Sequence, residues 1–332
     1  MKKVHLILLL ALVALVGSPR VKAQDLSFSQ FYANPLYLNP AFAGSKVCPR
    51  ISLNFRNQWP AFVSAFSTIS ASYDQYFDEL HGGVGAIVMA DRQGDHGALS
   101  TTSAEVMYAF RFQLSKSVFV NAALQAGITN TSLKWEELRF PDMIDRIYGF
   151  TGLTSASMPD KTNVWYLDFA AGVLVYGSSW YAGFSAAHLT QPSEGFYGVY
   201  KLPMKFTGNV GVLINLAEER RRTSTLGLGT PVISPNIVYQ FQNGFHYFNY
   251  GFYLDWEPFV VGLWFRQGMD NPESVIFQLG VQQDYFKIGY SYDVSVSKLS
   301  NNTSGAHEVS LGILLPCPEQ KHKVRAIRCP SF

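Results

Sequence analysis

The chain has 332 residues, of which 15% are charged and 15% aromatic, and its formal net charge is +2. So small a charge excludes the electrostatic footprint of a nucleic-acid binder, and the charged fraction is well below the roughly 25% of an ordinary soluble domain. Mean hydropathy is only +0.05, and past the amino terminus no apolar run reaches the roughly 18 residues of a membrane-crossing helix. Few charges, many aromatics and abundant glycine fit a transmembrane β-barrel, in which alternation dilutes the apolar residues.

In chain order, Lys2 and Lys3 precede an apolar run from Val4 to Gly17, and Val21 and Ala23 follow as small residues at the −3 and −1 positions. A basic start, a short apolar run and small residues at the cut site predict a signal peptide over 1–23. No cysteine follows the cut, which argues against a lipid anchor.

An amino-terminal segment, 24–49, comes next. It contains FSQFYANPLYLNPAFAGS, residues 28–45, which holds two Asn-Pro pairs and no charge. Pro35 and Pro40 interrupt any regular helix, and Asn34 and Asn39 before them favour extended or turn geometry. The same prolines argue against a membrane strand. The segment is too apolar for a disordered tail, so it needs a surface. The expected surface is the lumen or periplasmic mouth of its own barrel, with a partner protein as the alternative.

From Arg50 onward the period is two. In AEVMYAFRF, Ala104, Val106, Tyr108, Phe110 and Phe112 share one face and Glu105, Met107, Ala109 and Arg111 the other. Such alternation predicts strands with one apolar face. About fourteen are expected, near 50–57, 66–74, 83–91, 99–112, 117–128, 163–176, 180–189, 205–216, 231–241, 245–255, 258–267, 274–283, 285–295 and 306–315, making a barrel over 50–315. Their lengths approach the 9–11 residues of a tilted membrane strand, and an even count suits a bacterial barrel. The third strand is ambiguous in facing.

Tyr108, Trp165, Trp180, Trp256 and Tyr292 are expected outside, as interfacial girdles. Arg50, Arg56, Glu105, Arg111, Asp168, Lys205, Asp255, Arg266, Lys287, Asp293 and Glu308 are expected inside, as a hydrated and mutually compensated lining. With both termini in the periplasm, the long connections 129–162 and 190–204 lie outside and most of the tight turns inside. The amino-terminal segment and a tail over 316–332 then face the periplasm. Two basic groups on that side are candidate contacts: Arg220, Arg221 and Arg222, and Lys321, Lys323 and Arg325. Each has a solvated charge run as its alternative, the favoured one for Arg220 to Arg222.

Three cysteines, Cys48, Cys317 and Cys329, belong to an exported chain. Cys317 and Cys329 are a candidate pair closing a short tail loop, leaving Cys48 over; the spacing does not settle the pairing. No metal-ligand spacing, phosphate loop or nucleophile elbow occurs. His81, His96, His188, His246 and His307 are dispersed, so no catalysis, cofactor or metal is expected.

The segment also resembles the amino-terminal signature of the PorP/SprF family, outer-membrane proteins associated with type IX secretion and gliding in Bacteroidetes. The matching residues are Phe28, Ser29, Gln30 and Phe31, then Asn34, Pro35 and Leu36, then Asn39, Pro40, Ala41, Phe42, Ala43 and Gly44. Phe31 and Phe42 stand where tyrosine is common. RISLNFRNQWP, 50–60, FSTISASYD, 66–74, and SGAHEVSLGI, 304–313, are similar to further stretches of the family. The resemblance implies a non-catalytic outer-membrane barrel that acts through partners. Those partners are a secreted surface protein or adhesin carrying a type IX sorting domain, or the periplasmic lipoprotein assembly of the secretion system. A channel for a small solute is the alternative, and an outer-membrane enzyme a weaker third.

Overall fold

The computed structural model describes residues 25–61, 66–152, 154–216, 230–269, 271–296 and 304–317. The expected signal peptide, Arg220 to Arg222, Lys321, Lys323, Arg325 and Cys329 lie outside them.

The described residues form a closed antiparallel barrel of 14 strands. These are β1 (Arg50–Gln58), β2 (Phe66–Phe77), β3 (Gly82–Gln93), β4 (Leu99–Gln113), β5 (Phe119–Leu133), β6 (Asn163–Tyr176) and β7 (Trp180–Ala187). They continue as β8 (Lys205–Val212), β9 (Val232–Gln242), β10 (Phe245–Trp256), β11 (Phe259–Gly268), β12 (Pro272–Gln282), β13 (Phe286–Ser295) and β14 (Ala306–Leu314). Each pairs with its neighbour in sequence, Ile214–Asn215 continues β8 along β9, and β14 closes on β1 with Arg50 opposite Leu314. Closure removes the sheet edges, so every strand of the wall finds backbone partners on both sides.

Alternation explains the wall. Along β2 the burial alternates, with Ser70, Ser72 and Asp74 buried and Ile69 and Tyr73 exposed. Tyr108, Trp165, Trp180 and Trp256 are exposed on the outer surface, as the pattern predicts. The two ends differ. At one end the connections after β5 and β7 are long, over 134–162 and 188–204; at the other, β6 to β7 and β10 to β11 turn within 177–179 and 257–258. Longer β2 and β3 reduce the expected 75–82 connection to a turn over 78–81.

Residues 25–49 run through the lumen and plug it. They form one α-turn, α1 (Pro35–Leu38), and a 3-10 turn over Pro40–Phe42, each opened by a proline, where its missing N–H costs nothing. The core therefore sits inside the barrel. Phe28, Phe31, Tyr32, Leu36 and Phe42 from the segment pack with Leu174, Tyr181, Tyr253, Trp264 and Ile276 from the wall. This also settles the third strand: Ile87 and Met89 point inward, onto the plug.

The direction of the plug corrects one expectation. Asp25 lies at the long-loop end, beside Lys205 and His188. Gly44 lies at the short-turn end, where its N–H donates to Asp74 at 2.9 Å. The segment thus descends the whole lumen before the chain turns into β1, and only its carboxyl end reaches the short-turn mouth.

The expected cysteine pairing is also corrected. Cys48 is joined to Cys317, with Cα atoms 4.5 Å apart. Cys48 just precedes β1 and Cys317 just follows β14, and these two strands are neighbours at the seam.

Candidate functional site

Each residue of the amino-terminal signature is buried in the lumen, and most have identifiable jobs. Phe28 meets Tyr37 edge-to-face and Phe31 packs at a tilt against Trp264, with ring centroids 5.2 and 4.9 Å apart. The Ser29 N–H donates to Glu308 at 2.7 Å, and the Gln30 side chain donates to the Glu308 carbonyl at 2.9 Å. Asn34 donates to Ser70 at 2.9 Å. Asn39 accepts from the Ala41 N–H at 2.9 Å and donates to the Val173 and Phe184 carbonyls of β6 and β7. Asn121 donates to the Ala41 carbonyl at 3.0 Å, and Leu36 lies against Gly85. Pro35 and Pro40 open the two turns. Gly44 has φ +65°, and a Cβ on it would lie 2.5 Å from Gly83 Cα, so only glycine fits both conformation and space.

Three polar clusters hold the plug along its length. Near the long-loop end, Arg56 pairs with Asp293 at 3.0 Å and Glu308 at 3.2 Å, and all three are buried. Ser29 sits among them, donating to Asp293 and accepting from Arg56 and Arg266. At the short-turn end, Arg50 pairs with Asp74 at 2.8 Å, and Arg111 donates to the Gly44 carbonyl at 2.9 Å. The expected inward charges thus face inward, and several of them bind the plug instead of bulk water.

The third cluster was not foreseen. His188, next to the end of β7, lies between Asp25 and Asp168, 2.8 Å from each. Lys205 is 3.4 Å from Asp25 and donates to the Tyr37 hydroxyl at 2.8 Å. Burial opposes a charge on His188, but the flanking carboxylates outweigh it and raise its pKa to about 10. Burial also opposes the Asp25 carboxylate; His188 and Lys205 overcome it and hold its pKa well below the usual range. No sequence signal marked His188, because its partners are 20 and 163 residues away.

Above this cluster is a cavity of about 500 Å³, bounded below by Leu26 and Tyr37 and on its sides by β3 to β8 and the 188–204 loop. The loops beyond it carry exposed apolar groups. Loop 134–162 forms a two-stranded ladder, Ile144–Asp145 with Gly149–Phe150, whose turn is capped by Asp145 accepting from the Ile147 and Tyr148 N–H groups. Ile147 and Tyr148 at its tip are 84% and 83% exposed. Tyr197, on loop 188–204, donates to the Ser157 carbonyl, joining the two loops.

A family model described as type IX secretion system membrane protein PorP/SprF matches residues 20–313. The chain belongs to the PorP/SprF family. The match spans the plug and nearly the whole barrel, and with the fold it places the protein in the outer membrane. The solved structures it is similar to are outer-membrane barrels. The porin KdgM has a TM-score of 0.36 and 8% identity over 80% of this chain and 99% of that one. Omp33 of Acinetobacter baumannii has a TM-score of 0.44 and 7% identity over 81% and 100%. A mutant of the monoaromatic hydrocarbon channel TodX has a TM-score of 0.44 and 11% identity over 83% and 92%. No curated protein sequence matches the chain.

Proposed function

We propose that this PorP/SprF-family barrel is a non-catalytic outer-membrane anchor that works through its surfaces, retaining an exported protein at the long-loop face. The observation that carries the reading is the filled lumen. Ser29, Gln30, Asn39 and Ala41 are completely buried inside the barrel, so solute passage would require this segment to leave its aromatic and ionic partners. With the short-turn end taken as periplasmic, loops 134–162 and 188–204 face outward. Their exposed Ile144, Ile147, Tyr148, Phe150, Tyr197 and Val199 are apolar contacts on a shared, hydrogen-bonded support. Contiguous exposed apolar groups of this kind mark protein interaction sites.

In this reading the partner is a secreted surface protein or adhesin with a type IX sorting domain, and the periplasmic lipoprotein assembly is a further contact at the opposite end. The test is affinity purification from native outer membranes in mild detergent, with mass spectrometry of co-purifying proteins. The intact protein should recover a secreted partner in near-stoichiometric amount. A variant with loop 134–162 replaced by a short turn should insert normally but lose that partner. Equal recovery by both would sink the proposal.

A further inference from the structure

We propose that the cavity at the long-loop end is a receptor site for an organic cation, an ammonium or guanidinium group carried on an apolar or aromatic body. The first ground is charge. Among the described residues the lining holds five carboxylates, Asp25, Asp91, Glu105, Asp168 and Glu194, but only two cations, His188 and Lys205. Both cations are already engaged: His188 bridges Asp25 and Asp168, and Lys205 reaches Asp25 and the Tyr37 hydroxyl. Glu105 accepts only from neutral donors, the Gln125 amide and the Ser103 hydroxyl, and neither it nor Glu194 makes an ion pair among the described residues. Burial, reinforced by Asp25, pushes the Glu194 carboxyl above its ordinary pKa against the attraction of His188.

The second ground is shape. About 500 Å³ falls within the usual range for small-ligand sites, and Leu99, Tyr166, Phe196, Tyr200 and Leu202 provide apolar and aromatic wall, against which an organic cation gains contact. A metal ion fits poorly, since among the described residues no group of three acids, histidines or cysteines is placed to hold one. This site is separate from the apolar loop tips and does not depend on the anchoring reading.

The full-length protein in detergent micelles would be titrated with p-aminobenzamidine, whose fluorescence rises in an apolar site. Saturable binding is expected, displaced by benzylamine but not by the neutral isostere benzyl alcohol. Glu105→Gln and Glu194→Gln should each weaken it roughly tenfold, the scale of a lost charge-assisted contact. Displacement by the tripeptide Gly-Arg-Gly at a lower concentration than by benzylamine would assign the cation to a basic side chain of a protein; the reverse order would assign it to a small amine. Absence of saturable binding, equal displacement by benzyl alcohol, or unchanged affinity in both variants would overturn the proposal. Heat-modifiable gel migration identifies folded variants, and if either fails to fold the wild-type competition series decides alone.

Discussion

At the scale of single residues, the plug is fixed by groups that tolerate little change. Arg56 neutralises two buried carboxylates, Asp293 and Glu308. Removing Arg56 leaves the buried Glu308 without an ion-pair partner among the described residues and Asp293 with only Arg266, at 3.5 Å; breaking a buried pair in this way costs about 3–5 kcal/mol. Arg56→Ala should therefore lower the unfolding midpoint of the barrel in urea, while Arg50→Ala, whose side chain is less deeply buried, should lower it less. At Gly44 a side chain meets both an unfavourable φ and the Gly83 backbone. Gly44→Ala should cost about 1–3 kcal/mol by the same measurement.

The Asp25–His188–Asp168 cluster adds a pH dependence. The docked His188 has a raised pKa, so its contribution is fully present below its ordinary value of 6.5 and is lost as pH rises through about 10. Asp25 has a lowered pKa, so its contribution is present above the ordinary carboxylate range and fades as pH falls below it. A spin label on Ser27→Cys, in a Cys329→Ser background, should be immobile between these limits and gain mobility on either side. Uniform mobility across pH 2 to 11 would refute the linkage.

At the scale of elements, the strands were readable and their contents were not. Period-two alternation reports one face in lipid and one away from it, which is why β6 (Asn163–Tyr176) emerges with its expected boundaries. Alternation does not say what fills the inside. Ile87 and Met89 made β3 look two-faced because an apolar plug, instead of water, faces them. The plug itself was legible as a segment needing a surface, through Pro35, Pro40 and its lack of charge, but not in its direction. Nor was the disulfide legible. Cys48 and Cys317 are 269 residues apart in sequence, and only barrel closure makes them neighbours. Mass mapping should find these two linked and Cys329 free of either. Deleting 25–46 tests the plug as an element: the shortened barrel should conduct ions in planar bilayers where the intact protein does not, and equal conductance would show that the segment does not seal the lumen.

At the scale of the molecule, the barrel presents two unlike ends joined by a filled interior. The short-turn end gathers the exit of the plug, the seam between β1 and β14 and the Cys48–Cys317 link. The long-loop end gathers the start of the plug, the cavity and the joined loops. A lumen occupied from end to end also constrains how the protein can be made. Phe31, Tyr32 and Phe42 interlock with Tyr181, Tyr253 and Trp264 too closely to be threaded through a finished cylinder. The curling sheet must wrap around the segment as it forms, as a mould closes on its mandrel. Meeting of the first and last strands is then the final step of biogenesis, and the sulfur bridge at the seam is a latch that can engage only once the interior is already in place.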